Sequence, residues 1–166
     1  MHTELSHGEP SLSSSSPERL RAWRLFFDSA LALLDTLEHD FRRDAGFPVQ
    51  WYDVLVHLEE TPDGLRTSEL AQKVLFSKSG FTRVVDKMEA AGLVRRVRPE
   101  SDRRSIFILQ TREGRAAMQR ARPPHHQWIE ENFTGSLTDS DIQAITRAFE
   151  KISAHARTLR PGRVTG

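Results

Sequence analysis

The 166 residues carry 24 Lys and Arg against 23 Asp and Glu, and a formal net charge of +1 gives no global signal for nucleic acid. Cysteine is absent, which excludes disulfides, thiolate metal sites and a cysteine nucleophile. The longest unbroken apolar run, Ala30 to Leu34, is far too short to cross a bilayer, and the polar start of the chain has the pattern of no targeting segment, so a cytosolic protein is expected.

Residues 1–15 are mostly Ser, Glu, His, Gly and Pro and cannot bury enough apolar surface to offset their ordering entropy, so a disordered tail is expected there. Ser16-Pro17-Glu18 then supplies an N-cap, a proline at the first helical position and a first-turn acid. The helix that follows places Leu20, Trp23, Phe27, Ala30, Leu34, Leu37 and Phe41 at alternating spacings of three and four, a heptad seam widened by Phe26 and Leu33.

Val49 to Glu59 reads as a short helix with Tyr52, Leu55 and Leu58 on one face, followed by a turn at Thr61-Pro62-Asp63-Gly64. Thr67 is expected to cap a helix through Leu75, and Ser77 to cap the next, whose apolar residues Phe81, Val84, Val85 and Met88 recur at helical spacing. Gly92 ends that helix as its C′ residue. Leu93–Arg98 and Ser105–Gln110 read as two strands of a hairpin around Pro99-Glu100-Ser101-Asp102. Thr111 opens a helix that Pro123-Pro124 is expected to break or kink before it resumes through Trp128, Ile129 and Phe133. A second seam, Ile142, Ile145, Phe149, Ile152, Ala156 and Leu159, closes the chain, with Thr138 and Asp141 as a capping box and Leu137 and Ile142 as a staple. The fold class is mainly α with a small β-hairpin wing. Two terminal helices with matching seams suit a helical dimerisation domain, although they could also pack on each other within one chain.

Charge is concentrated in the middle. Residues 66–112 hold eleven basic and five acidic side chains, a local charge of +6, so the rest of the chain carries −5 to reach the total of +1. A basic module in an acidic chain is the footprint of a phosphate-backbone binder. On the helix from Lys78, the apolar stripe must face the core, which turns Lys78, Ser79, Thr82 and Arg83 outward near its start as in a recognition helix, with Lys87 following. Arg83 can bond guanine bidentately. Arg103 and Arg104, at the hairpin tip, can enter a narrow minor groove. Asp102 beside them opposes phosphate contact, so its expected role is to stiffen the tip by pairing with an arginine.

The run Ser79-Gly80-Phe81-Thr82-Arg83-Val84-Val85-Asp86-Lys87-Met88-Glu89-Ala90-Ala91-Gly92-Leu93-Val94 resembles the recognition helix of MarR-type winged-helix transcription regulators. Asp102-Arg103-Arg104, the strand after it and Leu109-Gln110-Thr111-Arg112-Glu113-Gly114 resemble that family's wing and the start of its next helix, and Tyr52-Asp53-Val54-Leu55 and Thr67-Ser68-Glu69-Leu70-Ala71 its two earlier helices. The resemblance runs from Pro17 to Leu159 with the elements in the same order. It implies an obligate homodimer with intertwined terminal helices, usually a repressor, on a pseudo-palindromic operator. It assigns Asp102 as the wing-stabilising acid, Arg104 as its partner or a DNA contact, and Arg103 as the minor-groove probe. The domains expected are residues 16–45 and 112–160 for dimerisation, 46–111 for the winged helix-turn-helix, and a tail at 161–166.

Rival functions find less support. There is no His-Glu-x-x-His, phosphate loop or Gly-x-Ser-x-Gly to argue for an enzyme, and no cofactor is expected. A metal-responsive regulator of the same fold would draw on His39, Asp40, Asp53, His57, His125 and His126; Asp53 and His57 share a helix face, where a local hydrogen bond is the simpler account. Family members often take small aromatic acids between the dimer helices and the DNA-binding lobe, where Trp23, Phe27, Trp51 and His57 are the candidate lining.

Overall fold

A computed structural model describes residues 16–74, 78–100 and 104–158, with the side chains of residues 78, 79 and 157 left out. The expected tails, the Ser77 cap, Asp102, Arg103 and the seam residue Leu159 lie outside the described residues. The chain divides into two units, Met1–Asp35 and Thr36–Gly166.

Helix α1 spans Pro17–Ala45. It opens on Ser16, whose hydroxyl accepts the Arg19 N–H at 3.4 Å and whose carbonyl accepts the Leu20 N–H at 3.1 Å. Along the first unit the seam is uncovered: Trp23 is 62% exposed and Leu34 60%. Trp23 stacks on Phe27 with ring centroids 5.6 Å apart.

The second unit begins in the last turns of α1 and continues with α2 (Val49–Glu59), β1 (Leu65–Arg66), α3 (Thr67–Lys73), α4 (Lys78–Ala90), β2 (Val94–Val97), β3 (Phe107–Gln110), α5 (Arg112–Ile129), a π turn (Glu130–Thr134) and α6 (Asp139–Thr158). Leu55, Leu58, Leu70, Val85, Met88, Ile108 and Met118 are almost completely buried and form one core with Phe41, Tyr52 and Phe81. Each such side chain contributes about 1.5–3 kcal/mol on leaving water. Those on α2, α3 and α4 are the residues that helical spacing singles out.

Four expectations are corrected. The hairpin is part of a three-stranded antiparallel sheet of order β1-β3-β2, because Leu65 and Arg66 pair with Ile108 and Phe107. Two residues are too short a run to show the alternation by which a strand is recognised. Helix α3 ends at Lys73, where Val74 turns extended, rather than at Leu75. The Thr67 hydroxyl does not cap it; that hydroxyl donates to the Ile106 carbonyl at 2.9 Å, while Glu69 accepts the Arg66 N–H at 3.2 Å. Pro123 and Pro124 sit inside a continuous α5. The carbonyls they leave without an N–H belong to Gln119 and Arg120, two exposed residues whose partners water can replace. Beyond Ile129 the chain widens into the π turn, closed by the Gly135 N–H on the Glu130 carbonyl at 2.7 Å.

Three further helix ends are capped as expected, those of α4, α5 and α6. Gly92 adopts φ 73°, the left-handed C′ conformation, after α4. Thr111 then joins two elements: its hydroxyl donates to the Gly92 and Leu93 carbonyls at 2.7 and 3.0 Å and accepts the Gly114 N–H at 2.9 Å. Thr138 and Asp141 exchange backbone N–H bonds at 3.0 and 3.3 Å at the start of α6. The hydrogen bonds from Thr138 hold the Asp141 carboxyl below its ordinary value. Gly114 is required by space, since a Cβ there would meet the Leu93 carbonyl oxygen at 2.1 Å. Gly114→Ala should cost about 3 kcal/mol and lower the melting temperature by about 6–12 °C in a thermal scan at fixed concentration.

His125, one turn beyond Ala121 on α5, is packed among aromatic rings, 4.7 Å from Tyr52 and 5.8 Å edge-on from Phe41. Its Nδ1 is buried without a partner among the described residues. Burial, and then the neighbouring His126, push its pKa below the ordinary 6.5. The unfolded chain therefore takes up this proton before the folded one as the pH falls through 6.5, so stability is present above that pH and declines below it, until the folded imidazole is itself protonated. Chemical denaturation of His125→Phe at pH 7.5 and 5.5 should show a smaller acid loss than the wild type; an equal loss would locate the effect elsewhere.

Candidate nucleic-acid interface

Helix α4 has two faces. Phe81, Val85 and Met88 are buried and Val84 is half-buried, which turns Thr82, Arg83, Asp86 and Lys87 to solvent. Lys78 and Ser79 lie in its first turn, and their side chains are outside the described atoms. Arg83 is exposed and forms no ion pair among the described residues, so its fork of donors is available to a base edge or a phosphate.

The acids of this helix are neutralised from the wing. Arg96 on β2 donates its backbone N–H to Glu89 at 2.9 Å, and its guanidinium bonds the other Glu89 oxygen and, at 2.6 Å, Asp86. Partial burial opposes the Arg96 charge, but the hydrogen bonds from Asp86 and Glu89 outweigh it and raise the pKa above the ordinary arginine value. Arg96 is thus withdrawn from the basic footprint and works as a clamp between β2 and α4. Nothing in the local spacing signals it, because its partners lie seven and ten residues back, across the Gly92 turn.

Strand alternation turns Val94 inward and Arg95 outward on β2, and Arg98 is exposed just beyond it. Arg104 is exposed on the returning limb. The recognition-helix and wing-tip contacts expected from sequence do not include Arg95 and Arg98; period-two alternation identifies the first of them. Arg83 and Lys87 on α4, and Arg95, Arg98 and Arg104 on β2 and the limbs of the wing, are thus all exposed basic side chains. Arg96→Ala should weaken binding to duplex DNA about tenfold, by freeing two carboxylates toward the phosphates and loosening the wing, while costing only about 1 kcal/mol of stability because the pair is partly exposed. Fluorescence anisotropy with a labelled duplex, beside a denaturation curve, checks both numbers.

The other candidates are dispersed. Asp53 and His57 face each other on α2 at 3.6 Å, the local pair that their spacing allows. Asp40 is engaged by Arg43 at 2.9 Å and by the Trp128 indole N–H at 3.2 Å, and His125 lies in its aromatic cluster. Among the described residues no three His, Cys, Asp or Glu converge as a metal site would require. Trp51 stacks on Phe47 at 6.2 Å in the second unit, while Trp23 and Phe27 are exposed in the first. No described helix is long and apolar enough to cross a membrane.

Comparison with known proteins places this geometry. Residues 45–105 match the model of the MarR family. AbsC, a MarR family transcriptional regulator from Streptomyces coelicolor, is 32% identical; its structure superposes with a TM-score of 0.79 over 87% of this chain and 97% of AbsC. Sco3205, a second MarR family regulator of Streptomyces coelicolor, solved in complex with DNA, is 29% identical with a TM-score of 0.80 over 90% and 96% of the two chains. The Homoprotocatechuate degradative operon repressor of Escherichia coli is 31% identical over 108 residues, 63% of this chain and 69% of that protein.

Proposed function

The chain belongs to the MarR family of transcriptional regulators, and on that premise we propose that it is a repressor which binds a pseudo-palindromic operator as a homodimer. The observation that carries the DNA-binding part is the outward face of α4, where Thr82, Arg83 and Lys87 project from a helix whose other side is core. In this reading Lys78, Ser79, Thr82, Arg83 and Lys87 enter the major groove, and Arg103 reaches the minor groove from a tip stiffened by Asp102, with Arg104 as the partner of that acid or a further DNA contact.

The homodimer is supported by apolar surface left in water. Leu20, Trp23, Leu31 and Leu34 on α1 are each more than half exposed. On the second unit, Phe133, Ile145 and Phe149 line an open groove of about 470 Å³ between the π turn and α6, with Ile152 53% exposed one turn beyond Phe149. A soluble monomer rarely keeps such patches uncovered. Residues 16–45 and 112–160 are the dimerisation segments in this reading and 46–111 the DNA-binding lobe, with α5 serving both, because Met118 and Ala121 belong to the lobe's core.

Repression is supported by the 31% identical operon repressor. For the effector we favour a small aromatic acid. Within the second unit, Trp51 and His57 on α2 suit it, one offering a half-buried ring and the other a buried Nδ1 without a partner among the described residues. Footprinting the purified protein on the intergenic DNA beside its own gene, with and without aromatic acids, tests operator and effector together. A two-fold protected site released by an aromatic acid is the expected result; absence of any protected site overturns the reading.

A further inference from the structure

Three residues spaced by three along α5, Arg122, His125 and Trp128, hold that helix to α2 and to the last turns of α1. Arg122 bonds Glu59 at the end of α2 at 2.5 Å, and the Trp128 indole N–H donates to Asp40 on α1 at 3.2 Å. His125, between them, packs 4.7 Å from the Tyr52 ring and 5.8 Å edge-on from Phe41. Its Nδ1 is buried and has no hydrogen-bond partner among the described residues. The other carboxylates of the same elements are engaged elsewhere. Glu38 accepts the Val49 N–H at 3.2 Å and pairs with Arg42, Asp44 bonds Arg43 at 2.7 Å, and Asp53 stands 3.6 Å from His57. Arg122, one turn before His125, and His126, with its ring centroid 6.2 Å away, are bases and cannot neutralise a positive charge there. Just ahead of His125, Pro123 and Pro124 deprive the helix of two of its own hydrogen bonds, so α5 bends most easily at this point. Before the prolines α5 carries Met118 and Ala121 of the lobe's core; beyond Ile129 it leads into the π turn and the groove of α6.

We propose that His125 is a proton-operated latch on a hinge at Pro123-Pro124: neutral, it seats α5 on Tyr52 and Phe41 and holds the lobe in the posture that binds the operator; protonated, it leaves that seat, α5 bends at the proline pair, and operator binding falls. The inference rests on the DNA-binding homodimer reading above and adds a regulation to it. In the neutral imidazole one ring nitrogen is a bare acceptor, and Nδ1 can be that nitrogen while it stays buried; the imidazolium carries an N–H on both nitrogens. Seated and protonated, His125 would bury an N–H without an acceptor and a charge without a carboxylate, and both disfavour the seat. The pKa held below 6.5 by burial agrees with this, because the unseated imidazole takes the proton first as the pH falls. The mechanical consequence follows from α5 serving both the lobe and the dimerisation segments. A dimer of this kind reads two half-sites a fixed distance apart on the duplex, so a small bend in each protomer's α5 moves the two α4 helices out of register with them.

The test uses the full-length protein and the operator duplex found by footprinting, in anisotropy titrations at about pH 7.5 and 5.5 and constant ionic strength. The wild type should bind about tenfold more weakly at the lower pH, while circular dichroism and sedimentation show it still helical and dimeric. A wild type that loses its helix or its dimer together with its affinity overturns the latch in favour of plain acid unfolding. His125→Phe keeps a ring against Tyr52 and cannot titrate, so it should bind as the wild type does at the higher pH and lose most of the acid dependence. His126→Ala should keep that dependence. Pro123→Ala combined with Pro124→Ala restores the missing helical bonds and should shrink the acid loss with His125 still in place; a proline variant as acid-sensitive as the wild type overturns the hinge. Should His125→Phe fold poorly, the wild type decides alone: the His125 ring, assigned in NMR spectra through its contact with Tyr52, must titrate with the midpoint of the affinity loss. An acid loss equal in His125→Phe and the wild type, or a His125 that titrates outside that interval, overturns the latch. If the wild type binds no duplex at the higher pH, the DNA-binding reading itself falls; if it binds equally at both, only the latch does.

Discussion

Phe149→Glu should sediment as a single 19.0 kDa chain at concentrations where the wild type runs at about twice that mass, and it should lose operator binding with the dimer. Phe149 is 39% exposed on α6 and lines the groove beside Phe133 and Ile145, so a partner helix laid there covers it. Two-fold symmetry places the substituted residue at the interface twice. Each buried carboxylate without a cationic partner costs several kcal/mol, and about 4 kcal/mol in all is already a thousandfold in the dimer constant. Leu34→Glu makes the same test on α1, where the side chain is 60% exposed. Circular dichroism separates loss of assembly from loss of fold, since neither residue belongs to the buried core around Leu55 and Ile108. A variant that stays dimeric and binds DNA normally would place the interface elsewhere.

The second large effect is expected at Arg83. Arg83→Ala should cost about 1–3 kcal/mol on the best operator, about five- to 150-fold, and relax the preference at one base position in each half-site. Because Arg83 is exposed and ion-paired to no described residue, its removal should leave the denaturation curve unchanged, and the weaker binding then reports a DNA interaction rather than instability. Arg83→Lys keeps the charge but lacks the bidentate fork, so it should recover general affinity without restoring the base preference. Lys87→Ala, by contrast, should weaken all sequences about equally and flatten the salt dependence. Competition binding against a panel of single-base operator variants distinguishes the two patterns. If Arg83→Ala lowers affinity uniformly across the panel, Arg83 contacts phosphate and the base reading belongs to another residue of α4.

Those two residues mark what near-neighbour chemistry makes legible. The faces of α4, the left-handed Gly92, the Thr138–Asp141 cap and the seams of α1 and α6 all follow from interactions between residues three or four apart, and a linear sequence states that spacing directly. The Arg83 side of α4 was readable because the Phe81, Val85 and Met88 side had to be core. The Arg96 clamp on Asp86 and Glu89 was not readable, nor was β1, whose two residues become a strand only by meeting Ile108 and Phe107. The same holds for Thr67, whose expected cap is displaced because its hydroxyl finds the Ile106 carbonyl 39 residues along the chain. Local chemistry alone predicts an interruption of α5 at Pro123 and Pro124. The helix around them is anchored from both sides: Arg122 bonds Glu59 at 2.5 Å, 63 residues away, and Trp128 bonds Asp40 at 3.2 Å, 88 residues away. Local propensity sets which helices form and which way they face. Contacts closed over long stretches of chain decide which charges remain available to a partner, because only after the loops have closed do acids such as Glu89 and bases such as Arg96 meet.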